Sequence, residues 1–111
     1  LKLVPIDGGS GPITPTDDTI RDGQYTPLSR PLFIYVSTKA AERPEVQAFI
    51  KFYMRNAEKL VAEVKYVPLP ANVYEKALAR FESKKVGSVF NGQHQVGLSL
   101  EQLMKTEEES Q

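Results

Sequence analysis

The clearest regular pattern in the sequence is a run of apolar residues that recur every three or four positions between residues 44 and 64. This spacing places the apolar side chains on one face of an α-helix, and Pro44 suits the first turn of such a helix. The opposite face carries charges of both signs, so one side of the helix is predicted to pack and the other to be solvated. The predicted packing face consists of Val46, Phe49, Ile50, Tyr53, Ala57, Leu60, Val61 and Val64.

The N-terminal pattern predicts a short strand and a short helix. Residues 1–6, LKLVPI, alternate weakly and predict a strand, and the GGSG sequence at residues 8–11 predicts a flexible loop after it. Thr16 has the side chain of a helix cap, and Gly23 is a natural stop for the same helix. The helix between them is predicted to be barely two turns long.

The C-terminal half contains two further predicted helices. The prolines in YVPLP, residues 66–70, interrupt the chain, and an amphipathic helix follows that we expect to begin with a cap at Asn72 and to end near Gly87. Ser99 and Gln102 have capping-box spacing before a short last helix. The apolar stripe of the first of these helices consists of Tyr74, Ala77, Leu78 and Phe81.

An unbroken apolar run, LFIYV at residues 32–36, follows Pro31. Its β-branched and aromatic residues favour a strand, and a strand that is apolar on both faces is typical of a parallel or mixed sheet covered by helices. The predicted fold class is therefore α/β, with a mixed sheet covered by helices. Two or three strands make a poor sheet, so we expect the fold to be incomplete in this chain and the missing strands to come from another segment or another chain.

Composition narrows the chemistry that the chain can perform. Lys plus Arg and Asp plus Glu each number 14, so the formal net charge is zero and nucleic acid is not an expected partner. With one His and no Cys, the chain cannot assemble the usual imidazole or thiolate metal cage, a Cys nucleophile or a disulfide. No Ser/His/Asp set can be proposed either. We therefore expect no enzymatic activity, no metal and no cofactor.

The sequence also lacks recognisable membrane and export signals. No apolar run approaches the roughly 20 residues that cross a bilayer, and no signal peptide is present. The chain begins at Leu1 and not at Met, which favours a processed chain or a fragment.

Three polar features are candidate ligand-binding sites. The GGSG loop could form an anion-binding concavity, but it lacks the Lys of a P-loop, so a connector is the preferred interpretation. Ser29 and Arg30 precede the apolar run; they could bind an oxyanion, or Arg30 could tie the strand end to a carboxylate or a carbonyl. His94 lies in a polar turn and is predicted to be a solvated surface residue.

Several stretches carry a family resemblance when they are taken together in their order along the chain: TIRDGQYTPLSRPLFIYV, RPEVQAFIKFYMRNA, VKYVPLP and VGLSLEQLM. In these stretches the chain resembles the C-terminal third of the phosphate-binding subunits of bacterial ABC transporters. The resemblance implies a type II periplasmic-binding-protein fold, in which two α/β lobes hold the anion in the cleft between them. It also implies that the phosphate ligands lie in the earlier two thirds of such a protein, so none is expected here apart from the candidates Ser29 and Arg30.

The resemblance also assigns roles along the chain. Residues 1–28 would finish the second lobe and cross the hinge, residues 29–106 would return to the first lobe, and residues 107–111 would form a disordered tail. The implied protein is extracytoplasmic, captures inorganic phosphate and delivers it to the membrane subunits of an ABC permease, with lipid anchoring left open. The alternative is a stand-alone or homo-oligomeric interaction module whose exposed strand edge binds a partner.

Overall fold

The computed structural model describes residues 1–87 and residue 105. The described residues fall into two compact units, Leu1–Leu32 and Phe33–Gly87. The first unit contains β1 (Ile6–Asp7), β2 (Pro12–Ile13) and α1 (Asp17–Arg21), and the second contains α2 (Thr38–Ala41), α3 (Pro44–Glu63) and α4 (Ala71–Glu82). His94, the capping box at Ser99 and the tail at residues 107–111 lie outside the described residues.

The N-terminal hairpin corrects the prediction of a strand over residues 1–6. β1 and β2 pair antiparallel, with Ile6 opposite Ile13 and Asp7 opposite Pro12. The connection between them is a turn, because the Asp7 carboxylate accepts hydrogen bonds from the backbone N–H groups of Gly9 and Gly11, at 2.8 and 3.0 Å. The loop predicted to be flexible is therefore closed by the side chain that begins it, as in other Asx turns.

The short helix α1 forms as the sequence predicts. The Thr16 hydroxyl accepts a hydrogen bond from the Thr19 N–H at 3.2 Å, and the Thr19 hydroxyl accepts one from the Thr16 N–H at 2.8 Å, which completes a capping box. Gly23 follows the helix with φ of 70°, in the left-handed region that glycine adopts without a steric cost. Both predicted ends of α1 are confirmed.

The second unit is built around α3, which begins at Pro44 as predicted. Contacts with α2 and α4 cover one face of α3, where Ile50 and Ala57 are 4% and 2% exposed. Across the α3–α4 pair, the Lys51 ammonium lies 3.4 Å from the Glu82 carboxylate. This pair of helices holds the core of the second unit.

Two features of α4 and one missed helix differ from the prediction. Asn72 lies inside α4, which begins at Ala71 after Pro70, so Asn72 is not its cap. The helix ends at Glu82 and not near Gly87, because Lys84 takes the left-handed conformation, with φ of 55°, that was expected of glycine. The helix α2 was not predicted, and its N-terminus is capped by the Ser37 hydroxyl, which accepts a hydrogen bond from the Ala40 N–H.

The apolar run at residues 32–36 is not a strand in the described structure, and the mixed sheet predicted around it is not formed there. Leu32 and Tyr35 are 80% and 83% exposed, and Phe33 and Ile34 are also exposed. A strand exists only when neighbouring strands accept and donate its backbone hydrogen bonds, and the described residues offer this run no such neighbour. The predicted buried strand is therefore not formed within the described residues.

The packing face predicted for α3 is correct over only part of its width. Ile50 and Ala57 are buried, but Phe49, Leu60 and Val64 are exposed. Phe52, which lies outside the predicted face, is exposed as well. We call these four exposed residues the outer face of α3. A helix with apolar residues on such a wide arc has more apolar surface than α2 and α4 cover.

Candidate functional site

The glycine-rich turn does not offer a free anion cradle. The N–H groups of Gly9 and Gly11, which an anion would need, already donate to the Asp7 carboxylate. An incoming phosphate would have to displace a carboxylate that remains attached to the same turn and repels it. The interpretation of this segment as a connector fits its hydrogen bonds.

The hydroxyl group of Ser29 donates a hydrogen bond within the fold. Its Oγ atom donates a short hydrogen bond to the carbonyl of Ile20 in α1, and the pair is partly buried. The backbone N–H of Ser29 donates to the Tyr25 carbonyl at 2.7 Å. Both donors of Ser29 therefore hold the segment after α1 in place.

Arg30 is exposed, and its guanidinium makes no hydrogen bond or ion pair with the residues that the structure describes. The predicted tie to a carboxylate or carbonyl is not formed within this part of the chain. The hydroxyl of the adjacent Ser29 already donates to the Ile20 carbonyl in α1. Their assignment as phosphate ligands or as structural residues stays a prediction.

A recess of about 150 Å³ lies within the second unit. Its apolar lining comes from Val36, Ala41, Phe81 and Val86, and its charged lining comes from Glu42, Lys84 and Lys85. No sequence signal predicted it, because its residues come from two separate stretches of the chain, 36–42 and 81–86. Its volume is well below the roughly 300 Å³ at which small-molecule sites begin.

The described residues offer neither a metal site nor a membrane-spanning helix. No group of three or more His, Cys, Asp or Glu side chains is arranged to hold a metal ion in this part of the chain. Among the same residues, no helix has the length and apolar character needed to cross a membrane.

Comparison with known proteins identifies the class of protein that the chain is similar to. It matches the C-terminal part of bacterial phosphate-binding proteins, which confirms the resemblance predicted from the sequence. This relationship implies an α/β solute-binding fold. The described residues form a small part of such a fold, and that part is mostly helical. No protein-family profile matches the chain, and no solved structure matches it significantly.

The individual relatives are bacterial. Protein SphX of Synechococcus elongatus is 45% identical over 108 residues, which are 96% of this chain. Protein SphX of Synechocystis is 41% identical over 106 residues, and the phosphate-binding protein PstS of Staphylococcus aureus is 44% identical over 80 residues, or 70% of this chain. The chain spans about a third of the length of the SphX proteins and about a quarter of PstS.

Proposed function

We propose that the chain is the C-terminal part of an extracytoplasmic solute-binding protein that captures inorganic phosphate and delivers it to an ABC permease. The observation that carries the proposal is the similarity along almost the whole chain to SphX, together with the match to a protein named as phosphate-binding. Because the chain spans only about a third of SphX, capture and delivery belong to the longer protein.

In this proposal the present residues supply scaffold and hinge, not the phosphate ligands. The polar groups that could have bound an anion support it, since Asp7 occupies the glycine N–H groups and Ser29 is bonded to Ile20. The larger fold would be a type II periplasmic-binding-protein fold. Residues 1–28 would end the second lobe and cross the hinge, residues 29–106 would return to the first lobe, and residues 107–111 would form a tail.

The partners follow from the same proposal. Inorganic phosphate binds to the longer protein, and the membrane subunits of the permease receive it outside the cytoplasm. Nucleic acid is not a partner, because the net charge of zero gives no attraction to a polyanion. The protein carries out no catalytic step, since its work is binding and release.

A chimera tests the proposal. The 80-residue stretch of S. aureus PstS that matches this chain is replaced by the corresponding residues of this chain, and phosphate binding is measured by calorimetry. We expect the chimera to bind phosphate and the isolated chain not to bind it tightly. Sub-micromolar affinity in the isolated chain would place the site in these residues, and a folded chimera without phosphate affinity would contradict the scaffold role.

The second candidate function is a protein-interaction module that is stable alone or as an oligomer. It is favoured by the exposed apolar residues at 32–35 and on the outer face of α3, because apolar patches on a folded protein often mark interfaces. Sedimentation and thermal melting of the isolated chain separate the two candidates. A compact monomer with cooperative melting favours the module, whereas oligomers or a non-cooperative transition favour a part of a larger fold.

A further inference from the structure

The recess in the second unit lies where the chain turns back at the end of α4. Lys84 takes the left-handed conformation, with φ of 55°, and its N–H donates to the Phe81 carbonyl at 3.0 Å. The N–H of Lys85 donates to the Arg80 carbonyl at 3.2 Å. These two bonds form a Schellman motif, which ends the helix and reverses the chain. The reversal brings residues 84–86 beside Phe81, and all of them line the recess.

The recess has the size of one large apolar side chain. Its volume of about 150 Å³ compares with that of an engineered apolar cavity that binds benzene. Val86 is 67% exposed, so the apolar wall is accessible from solvent. A leucine or phenylalanine side chain of a partner can therefore be buried there. Side chains that fill such pockets supply much of the free energy of binding between proteins.

The charged side chains of the lining have both signs. The Lys84 ammonium and the Glu42 carboxylate are exposed, and neither makes a hydrogen bond or an ion pair with the residues that the structure describes. Glu82, the acidic residue of α4 nearest to Lys84 in sequence, lies 3.4 Å from the Lys51 ammonium instead. The apolar wall is thus accompanied by a cation and an anion that have no partner within the described part of the chain.

We propose that this recess binds an exposed segment of a partner protein in which an apolar side chain lies between an acidic and a basic residue. The apolar side chain fills the recess, the acidic neighbour pairs with Lys84, and the basic neighbour pairs with Glu42. Charges at the edge of an interface select the partner and fix its orientation, whereas the buried side chain provides most of the affinity. Glu42 would repel a purely anionic partner such as nucleic acid or an anionic lipid surface. The inference goes beyond the proposed function, because it involves no phosphate.

Two blocked tripeptides, acetyl-Glu-Leu-Lys-amide and acetyl-Lys-Leu-Glu-amide, are the probes, and they present the proposed side chains in both chain directions. Each is titrated into the nitrogen-15-labelled chain, and binding is followed by NMR chemical shifts. We expect one of them to bind with millimolar affinity and to shift the signals of residues 36–42 and 81–86. Acetyl-Gln-Leu-Gln-amide lacks both charges and should bind about threefold more weakly or less. Acetyl-Glu-Ala-Lys-amide cannot fill the recess and should show no saturable binding at the same concentrations.

Lys84→Gly and Lys65→Gly are a matched pair of variants. Lys65 ends α3 in an equivalent Schellman motif, with φ of 65°, but it does not line the recess. Glycine adopts this conformation without a steric cost, so both variants should raise the midpoint of urea unfolding. Only Lys84→Gly should weaken tripeptide binding, by about threefold or more. Ala41→Leu places a larger side chain in the recess and should abolish binding in a chain that still unfolds cooperatively.

Several outcomes would overturn the proposal. Equal tripeptide affinity in the parent chain, Lys84→Gly and Ala41→Leu would place the binding elsewhere, and shifts spread over the whole chain would show that it is not specific. Shifts at the recess that depend on protein concentration without peptide would assign it to a second copy. The titration is repeated on a chimera in which this chain replaces the C-terminal third of Synechococcus SphX. Binding to the isolated chain but not to the folded chimera would show that an upstream part of the longer protein fills the recess, which would refute a separate partner.

Discussion

Gly8 lies directly against the backbone of Thr26: a Cβ atom on Gly8 would be 2.6 Å from the Thr26 carbonyl oxygen. The obstructing atom belongs to the backbone, so no rotation of a side chain can relieve the contact. Next to Thr26, the Tyr25 hydroxyl donates a hydrogen bond to the Val4 carbonyl at 3.0 Å. The hairpin and the turn after α1 are therefore held together, and Gly8 is required for their close approach.

Replacing Gly8 with Ala should destabilise the first unit. The backbone at Gly8 or Thr26 has to shift, which we expect to lower the free energy of unfolding by about 2 kcal/mol. The measurement is urea unfolding followed through the NMR signals of residues 1–32. The control is Ser10→Ala, at an exposed position of the same turn, which should change the free energy by less than about 0.5 kcal/mol. Equal stability of the two variants would contradict the close contact.

The Asp7 carboxylate should organise the hairpin turn. Asp7→Ala removes the acceptor for the N–H groups of Gly9 and Gly11, and we expect a loss of about 1 kcal/mol together with faster hydrogen exchange of both amides. Asp7→Asn is the matched control, because its amide oxygen can still accept from both groups. Equal stability and equal amide exchange in Asp7→Ala and Asp7→Asn would contradict the role of this side chain as the acceptor for both amides.

The elements that the sequence predicts well are those whose causes are local. The capping box of α1 involves Thr16 and Thr19, three positions apart, and the start of α3 depends on Pro44 alone. The apolar spacing of α3 is likewise contained within one helix. Such signals do not depend on any other part of the fold, so they can be recognised without it.

Most of what the sequence did not show depends on partners distant along the chain. A strand at residues 32–36 requires neighbouring strands, and these are absent from the described residues. The hydrogen bond between Ser29 and Ile20 joins positions nine apart, so the sequence alone could not show that the Ser29 hydroxyl is already engaged. The end of α4 was misplaced because Lys84 adopts a conformation usually assigned to glycine.

Ser29 and Arg30 can be assigned by separating stability from affinity in a chimera with Synechococcus SphX, because the match to SphX covers 96% of this chain. Ser29→Ala should lower the free energy of unfolding by about 1 kcal/mol, because the Ile20 carbonyl loses its donor, and should leave the phosphate affinity unchanged. Arg30→Ala should change neither, and Arg30→Lys serves as its charge-preserving control. A loss of phosphate affinity of about tenfold or more in Arg30→Ala would make this residue a ligand and would contradict the scaffold assignment.

The two faces of α3 should respond differently to truncation in the isolated chain. Ile50→Ala removes a side chain that is 4% exposed, so we expect a loss of about 3 kcal/mol from lost burial and a residual cavity. Phe49→Ala is the matched control on the same helix; its side chain is 59% exposed, so it should cost less than about 1 kcal/mol. The measurement is urea unfolding followed by far-UV circular dichroism at several protein concentrations. Equal costs at every concentration would mean that α3 packs on both faces within the chain, whereas a cost for Phe49→Ala that grows with concentration would show that a second copy covers the outer face.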